Sequence, residues 1–257
     1  MALYGVLGDI HGNIEALEAV LAELDARRAH PILCVGDIVG YNADPDRCVE
    51  LLARRGVAAI AGNHDLIGTG RLGFERCANN ARYSLQRTRR TISARSAAWL
   101  NALPPSRTVE NGAVALVHGG VRDVQLYMKT AQQIARNAEL LRLDFPGAQV
   151  CFFGHSHEQK LYEVGDEGVR ELPGAGLHQL AAGRTYFINA GSVDAQRKRE
   201  HRRAEFALFD GEAWTVEFLS CRYDAATTEA KAAAGGYRIT ALRDRFYTWR
   251  RRLFPAL

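Results

Sequence analysis

None of the five cysteines (Cys34, Cys48, Cys77, Cys151, Cys221) stands in a CxxC pair. That excludes a thiolate metal site and a disulfide framework, and the unpaired odd count fits a reducing compartment. Cys34 and Cys151 lie inside apolar strand patterns, where cysteine behaves as a small hydrophobe. No apolar run approaches the roughly 18 residues that a membrane span needs. Neither a charged head nor a long apolar segment precedes Asp9, so a cytoplasmic protein with no membrane partner is expected. Internal repeats and low-complexity linkers are lacking as well. The excess of one sign of charge is small: the net charge is +4 over 257 residues, with basic clusters at Arg197–Arg203 and Arg250–Arg252. A general nucleic-acid binder carries a denser basic face, so the balance favours a small anionic substrate over a nucleic-acid partner.

The chain does hold a 47% hydrophobic content, ordinary for a globular protein with a sizeable core. It also holds five short motifs that each end an apolar strand pattern. They are Gly8-Asp9-Ile10-His11-Gly12-Asn13, Gly36-Asp37-Ile38-Val39-Gly40-Tyr41, Gly62-Asn63-His64-Asp65, Val117-His118-Gly119-Gly120 and Gly154-His155-Ser156-His157. His11, His64, His118, His155 and His157 account for five of the eight histidines. Carboxylate, amide and imidazole donors suit hard to borderline divalent ions.

Leu3–Leu7, Ile32–Val35 and Val57–Ala61 read as buried strands. The first two are followed by helices, one capped by Asn13 with an Ile14, Leu17, Val20, Leu21, Leu24 stripe, the other opened by Pro45 with Asp44 as cap. This alternation predicts parallel crossovers in one sheet. Phe74 to Leu103 reads as helical up to Pro104-Pro105. Ala113–Val117 and Val150–Phe153 are further strands, with a helix over Ala131–Leu143 between them. After His157, short runs at Leu161–Val164, Val169–Leu172, Tyr186–Ile188, Phe206–Phe209 and Trp214–Phe218, split by Gly-Asp and Asp-Gly turns, predict a largely antiparallel half. From Ala225 to about residue 254 the chain reads as helical, with a stripe of Ile239, Leu242, Phe246, Trp249 and Leu253. This helix is expected to pack on its own domain, the alternative being a homo-oligomer contact. One domain over 1–257 fits best, because the motifs from Asp9 to His157 must fold together.

Asp9 and His11 stand two apart at a strand's C-terminal end, where open α/β sheets bind ligands. Asp37 and Asn63 repeat the placement on the next two strands. A carboxylate such as Asp37 can bridge two cations, while neutral Asn63 ligates one through its amide oxygen. With His118, His155 and His157 the donors number seven. Shared by two ions about 3.5–4 Å apart, they leave room for a bridging water or hydroxide that attacks as nucleophile. The gap after these assignments is the substrate, which motif chemistry does not name.

The ordered motifs closely resemble the calcineurin-like metallophosphoesterase superfamily, and the resemblance covers about Met1–Val193. It implies an α/β fold of two mixed β-sheets packed face to face with helices outside. It implies that Asp9, His11 and His157 hold one metal, that Asn63, His118 and His155 hold the other, and that Asp37 bridges. It further implies that His64 protonates the leaving alkoxide and that Asp65 fixes its orientation. The metals would come from Mn, Fe, Ni, Co and Zn, with Mn favoured.

Around this set, Asn13 reads first as a helix cap and second as a substrate contact, and Tyr41 is placed at the rim. Asn189-Ala190-Gly191-Ser192-Val193 is similar to the family's Asn-Pro-Gly-Ser segment, with Ala190 in place of proline. The basic run that follows reads first as a solvated face; the alternative is that Arg197 and Arg199 grip phosphate, and attraction to RNA or DNA is a third reading. Protein Ser/Thr phosphatases of the superfamily carry an arginine in a GDxVDRG pattern, which this chain lacks after Asp37. The closer likeness is to small bacterial and archaeal phosphodiesterase-like members, so a phosphoester substrate is expected, a nucleotide being one candidate. A protein phosphatase remains the alternative. A scaffold of the retromer type is disfavoured because His64 is present.

Overall fold

A computed structural model of the chain describes residues 3–194 and 202–253. Arg197 and Arg199 lie outside the described residues. Among those described, twelve strands form two six-stranded sheets. The first runs β3 (Ala58–Ala59), β2 (Ile32–Cys34), β1 (Leu3–Leu7), β11 (Arg203–Asp210), β12 (Thr215–Arg222), β9 (Gly176–Gln179). The second runs β4 (Arg107–Val109), β5 (Val114–Leu116), β6 (Val150–Phe153), β10 (Thr185–Ala190), β7 (Gln159–Gly165), β8 (Gly168–Leu172). Both are mixed. β1, β2 and β3 are parallel, as are β5, β6 and β10. The remaining neighbours pair antiparallel, with Val6 opposite Ala207 where β11 joins β1.

The two-residue period of each strand divides its side chains between two layers. Val114, Leu116, Val150 and Phe152 point inward and meet Val6, Leu33, Val35 and Ile60 in one core between the sheets. Their neighbours Ala115, Val117, Cys151 and Phe153 point outward, against Ile134, Ala138 and Leu141 of α6 (Ala131–Asp144). The first sheet's outer face is covered by α1 (Ile14–Ala26) and α2 (Pro45–Arg54). The α1 stripe of Ile14, Leu17, Val20, Leu21 and Leu24 is wholly buried, each such side chain contributing about 1.5–3 kcal/mol. These layers fix the strand ends that carry the site.

Several boundaries differ from the sequence reading. The helix expected over Phe74–Leu103 is two, α4 (Asn79–Thr91) and α5 (Ala94–Asn101). Ile92 turns to extended backbone, and the Ser93 hydroxyl starts the second helix by accepting from Ser96 N. Asp44 stands at the N-cap of α2 without capping it, because its carboxylate is drawn to Lys231. A short helix, α3 (Asn63–Gly68), begins at the third motif itself. The C-terminal helix is likewise two, α7 (Ala225–Ala234) and α8 (Ala241–Leu253). The α8 stripe does not pack inward as expected: Leu242 is 79%, Phe246 52% and Trp249 54% exposed. Polar contacts seat this helix instead, with Asn79 donating to Asp244 Oδ1 and Tyr247 donating to Gln86 Oε1, both at 2.9 Å. No helix among the described residues is long and apolar enough to cross a membrane.

Candidate metal centre

The C-terminal ends of β1, β2, β3, β5 and β6 converge, and their loops are tied together by backbone. Asp9 N donates to Gly36 O, Ile10 N and His11 N both to Asp37 O, and Gly12 N to Ile38 O, at 2.8–2.9 Å. Gly154 N donates to His118 O at 2.8 Å. Two of the glycines are required for this closeness. Gly36 has φ +94°, and a β-carbon there would strike the Gly62 backbone. One on Gly62 would strike the Asp37 carboxylate. The loops place Asp9, His11, Asp37, His155 and His157 at φ between 50° and 65°, a left-handed conformation that costs a non-glycine residue roughly 1–2 kcal/mol.

The donors fall into two overlapping groups. Asp9, His11, Asp37 and His157 bring their ligating atoms within 4.8 Å of one another, and so do Asp37, His118 and His155. Asp37 belongs to both. The Asn63 amide oxygen, 3.0 Å from His118 Nε2, joins the second group. All seven residues are at most 5% exposed. Burial alone would raise the Asp37 carboxyl, yet the imidazoles of His118 and His64 outweigh it and hold the group well below the usual carboxylate range. Burial would lower His118, but the Asp37 carboxylate wins and holds it up at about 9. His155 goes the other way, down to about 3, through burial and the charge on His118.

These residues fit divalent cations. Both ring nitrogens of His155 and Nδ1 of His157 are buried without a hydrogen-bond partner. His11 Nε2 and His157 Nε2 face each other at 3.1 Å. A buried nitrogen with nothing to bond costs about 1–3 kcal/mol, and a cation taking one nitrogen of the His155 ring relieves part of that penalty.

His64 stands beside the set, its ring 4.5 Å from that of His11 and 4.8 Å from that of Tyr41. Its own backbone N donates to Asp37 Oδ1 at 2.7 Å. The expected hold of Asp65 on this ring is not what the structure has. Asp65 accepts instead from Ile38 N, Val39 N and Gly62 N at 2.9–3.1 Å, while His64 Nδ1 is buried without a partner. Asp65 thus shapes the loop after Asp37, and burial, with Asp37 beside it, pushes its carboxyl up to about 7. Burial brings His64 down to about 4.

Asn13 is the helix cap, accepting from Ala16 N at 3.0 Å. Its amide donates to Asp194 and its oxygen accepts from Thr228. With every polar atom engaged and no exposure, it is not placed to touch substrate. Tyr41 does line the mouth of the site. The Asn189–Val193 segment, without the proline, still latches onto β1: Ser192 Oγ donates to Asp9 O at 3.0 Å and Val193 N to Gly8 O at 3.1 Å. The mouth also has residues that no motif announced, Arg76, Gln125 and Tyr127. Arg76 lies in the stretch read as helix, and the other two in a segment with no apolar period.

The family model of the calcineurin-like phosphoesterase superfamily domain matches residues 2–213. The solved metallophosphoesterase of Sphaerobacter thermophilus is 31% identical, with a TM-score of 0.74 over 95% of this chain and 97% of that one. A hypothetical protein of Pyrococcus horikoshii OT3 shares the fold at 17% identity and a TM-score of 0.69, again over 95% and 97%. An uncharacterised protein of Methanocaldococcus jannaschii is 28% identical over 225 residues, 87% of this chain and 88% of that protein. A match over so much of the chain, carrying a buried Asp/His cluster at the strand ends, makes this chain a metal-dependent phosphoesterase that belongs to the calcineurin-like phosphoesterase superfamily.

Proposed function

We propose that the chain is a two-metal phosphoester hydrolase of the phosphodiesterase or nucleotide-directed kind. The observation that carries the two-metal reading is that Asp37 belongs to both donor groups. Asp9, His11 and His157 would hold one ion, Asn63, His118 and His155 the other, and Asp37 would bridge. Manganese is placed first among Mn, Fe, Ni, Co and Zn; the three oxygen donors suit it, while the four imidazoles suit Fe, Ni and Zn as well. When bound, such ions supply charge to the phosphoryl oxygens and bring the ionisation of water into the neutral range.

The chain's own residues then divide the remaining work. The loop bonds around Asp9 and Asp37 keep the donors rigid, so little reorganisation accompanies reaction. His64 would give its proton to the leaving alkoxide. Burial holds its ring down at about 4; an anionic phosphate beside it would favour the proton, and the neighbouring cations would oppose it. The diester preference is supported by the mouth: Arg76 is the only Lys or Arg lining it among the described residues, and Asp123 already partners it. That balance suits a singly charged diester better than a doubly charged monoester.

Metal analysis of Asp37→Asn tests the bridge. Both occupancies should fall together; loss of one ion with activity retained would mean that Asp37 serves a single ion. A manganese-supplemented panel of monoesters, diesters, cyclic nucleotides, dinucleoside polyphosphates and phosphopeptides tests the substrate class, and fastest turnover on phosphopeptides would move the chain to the protein-phosphatase reading.

A further inference from the structure

Arg76 reaches across the mouth of the site. Its Nη1 donates to Asp123 Oδ1 at 2.8 Å and Oδ2 at 3.0 Å, and its Nη2 donates to Gln125 O at 3.0 Å. A guanidinium has five N–H donors. The Nε–H and one of the two Nη2–H bonds of Arg76 have no partner among the described residues, and the Nε/Nη2 edge of a guanidinium is a side fork that can match two phosphate oxygens. Because three contacts already pin the group, little side-chain freedom is left to lose when an anion arrives.

On the same rim, Tyr127 packs its ring on that of His155, with centroids 4.0 Å apart and planes at 33°. It nonetheless stays 41% exposed, one of few large apolar side chains so open. An aromatic face left open beside a phosphate site is the surface on which a nucleobase stacks.

We propose that Arg76 and Tyr127 select the substrate, the Nε/Nη2 fork of Arg76 taking non-bridging phosphate oxygens and Tyr127 stacking the base of a nucleoside phosphate. This rests on the phosphoester-hydrolase reading above for where the phosphate sits. It replaces the arginine that the loop after Asp37 lacks with one from a different part of the chain.

Calorimetric titration of the manganese-loaded protein with AMP and with inorganic phosphate tests it, alongside turnover of bis(p-nitrophenyl) phosphate. Tyr127→Ala should weaken AMP about tenfold and leave inorganic phosphate unmoved. Tyr127→Leu, which keeps apolar bulk over His155, should do the same with metal content intact. Arg76→Ala should weaken both ligands by about tenfold, and Arg76→Lys should recover only part, since an ammonium has no fork. Asp123→Asn loosens the tether by removing its charge and one acceptor but keeps the guanidinium, and should shift either ligand by less than about threefold. If Asp123→Asn matches Arg76→Ala, Arg76 merely holds a loop and the proposal fails. It fails equally if both Tyr127 variants bind AMP like the parent. A parent protein that binds AMP in the expected pattern but hydrolyses no ester overturns the hydrolase reading and keeps the selecting residues. Normal hydrolysis with unaltered AMP binding in the variants does the reverse.

Discussion

The strand ends that carry the candidate metal donors and the two C-terminal helices are held in opposite ways. At the strand ends the donors are buried, their loops are joined by backbone bonds such as His11 N to Asp37 O, and five of them sit in left-handed backbone. The helices α7 and α8 are joined to the rest by side chains. Thr228 donates to Asn13 Oδ1 at 3.0 Å, Lys231 pairs with Glu15 at 2.5 Å, and Arg238 donates to Tyr41 O at 2.8 Å and Asn42 Oδ1 at 3.0 Å. These contacts land on the start of α1 and on the loop after Asp37, behind the site. The chemistry is thus set by backbone, and the C-terminal pair adjusts it from outside. Damage to the first region should abolish function, and damage to the second should only trim it.

The largest effect is expected at His64. His64→Gln should keep its metals while turnover of alkyl esters falls about 10²–10⁴-fold, the usual contribution of a general acid. A nitrophenyl ester, whose leaving group needs little protonation, should suffer less. Loss of metal, or equal slowing of both esters, would remove His64 from the proton-donor role. In the second region, Arg238→Ala should lower stability by about 1–2 kcal/mol through its lost charged hydrogen bonds, seen as a lower Tm. Metal content should hold, and turnover should fall by less than about tenfold, as Tyr41 loosens against His64. A larger loss than at His64 would break the contrast between the regions.

The smallest effect is one of pH. Burial would raise the Glu15 carboxyl, but Lys231 and Thr228 outweigh it and hold it below the usual glutamate range. A depressed folded pKa gives stability that is complete above the ordinary glutamate value and is lost as pH falls through the depressed one. Relative to the intrinsic exchange rate at each pH, the amides of α7 should therefore be less protected near about pH 4 than at pH 7, while those of β5 and β6 keep their protection. Uniform loss across both would show that the helices unfold only with the whole.

The two regions also differ in how far the sequence disclosed them. Strands closed by Gly8-Asp9, Gly36-Asp37 and Gly154-His155 were legible because an apolar run ending in a glycine and a donor has few other readings, and Asn13 is a cap by its own chemistry. The helix at Asn63 was not, since Gly-Asn-His-Asp is also good turn sequence; what starts it is Asp65 reaching back to Gly62 N. The break at Ile92–Ser93 depends on Asp46, 47 residues away, accepting from Ser93. The edge strands β4 and β9 are short and mostly exposed and carry no apolar run. The α8 stripe has the right period, but a period cannot say whether another element comes to cover it. Arg76 and Tyr127 belong to no repeating pattern, and only the folded rim brings them together.

The left-handed donors have a consequence for any attempt to improve this protein. At roughly 1–2 kcal/mol each, five such residues amount to about 5–10 kcal/mol, as much as the net stability of a typical domain. Glycine at positions 9, 11, 37, 155 and 157 would relieve that load and leave nothing to coordinate a cation. A library sorted for heat tolerance in the presence of a chelator should therefore drift toward well-behaved, inert chains, whereas the same sorting with metal supplied rewards the strained set. Selection on robustness and selection on catalysis pull these five positions in opposite directions, and the cation decides which one prevails.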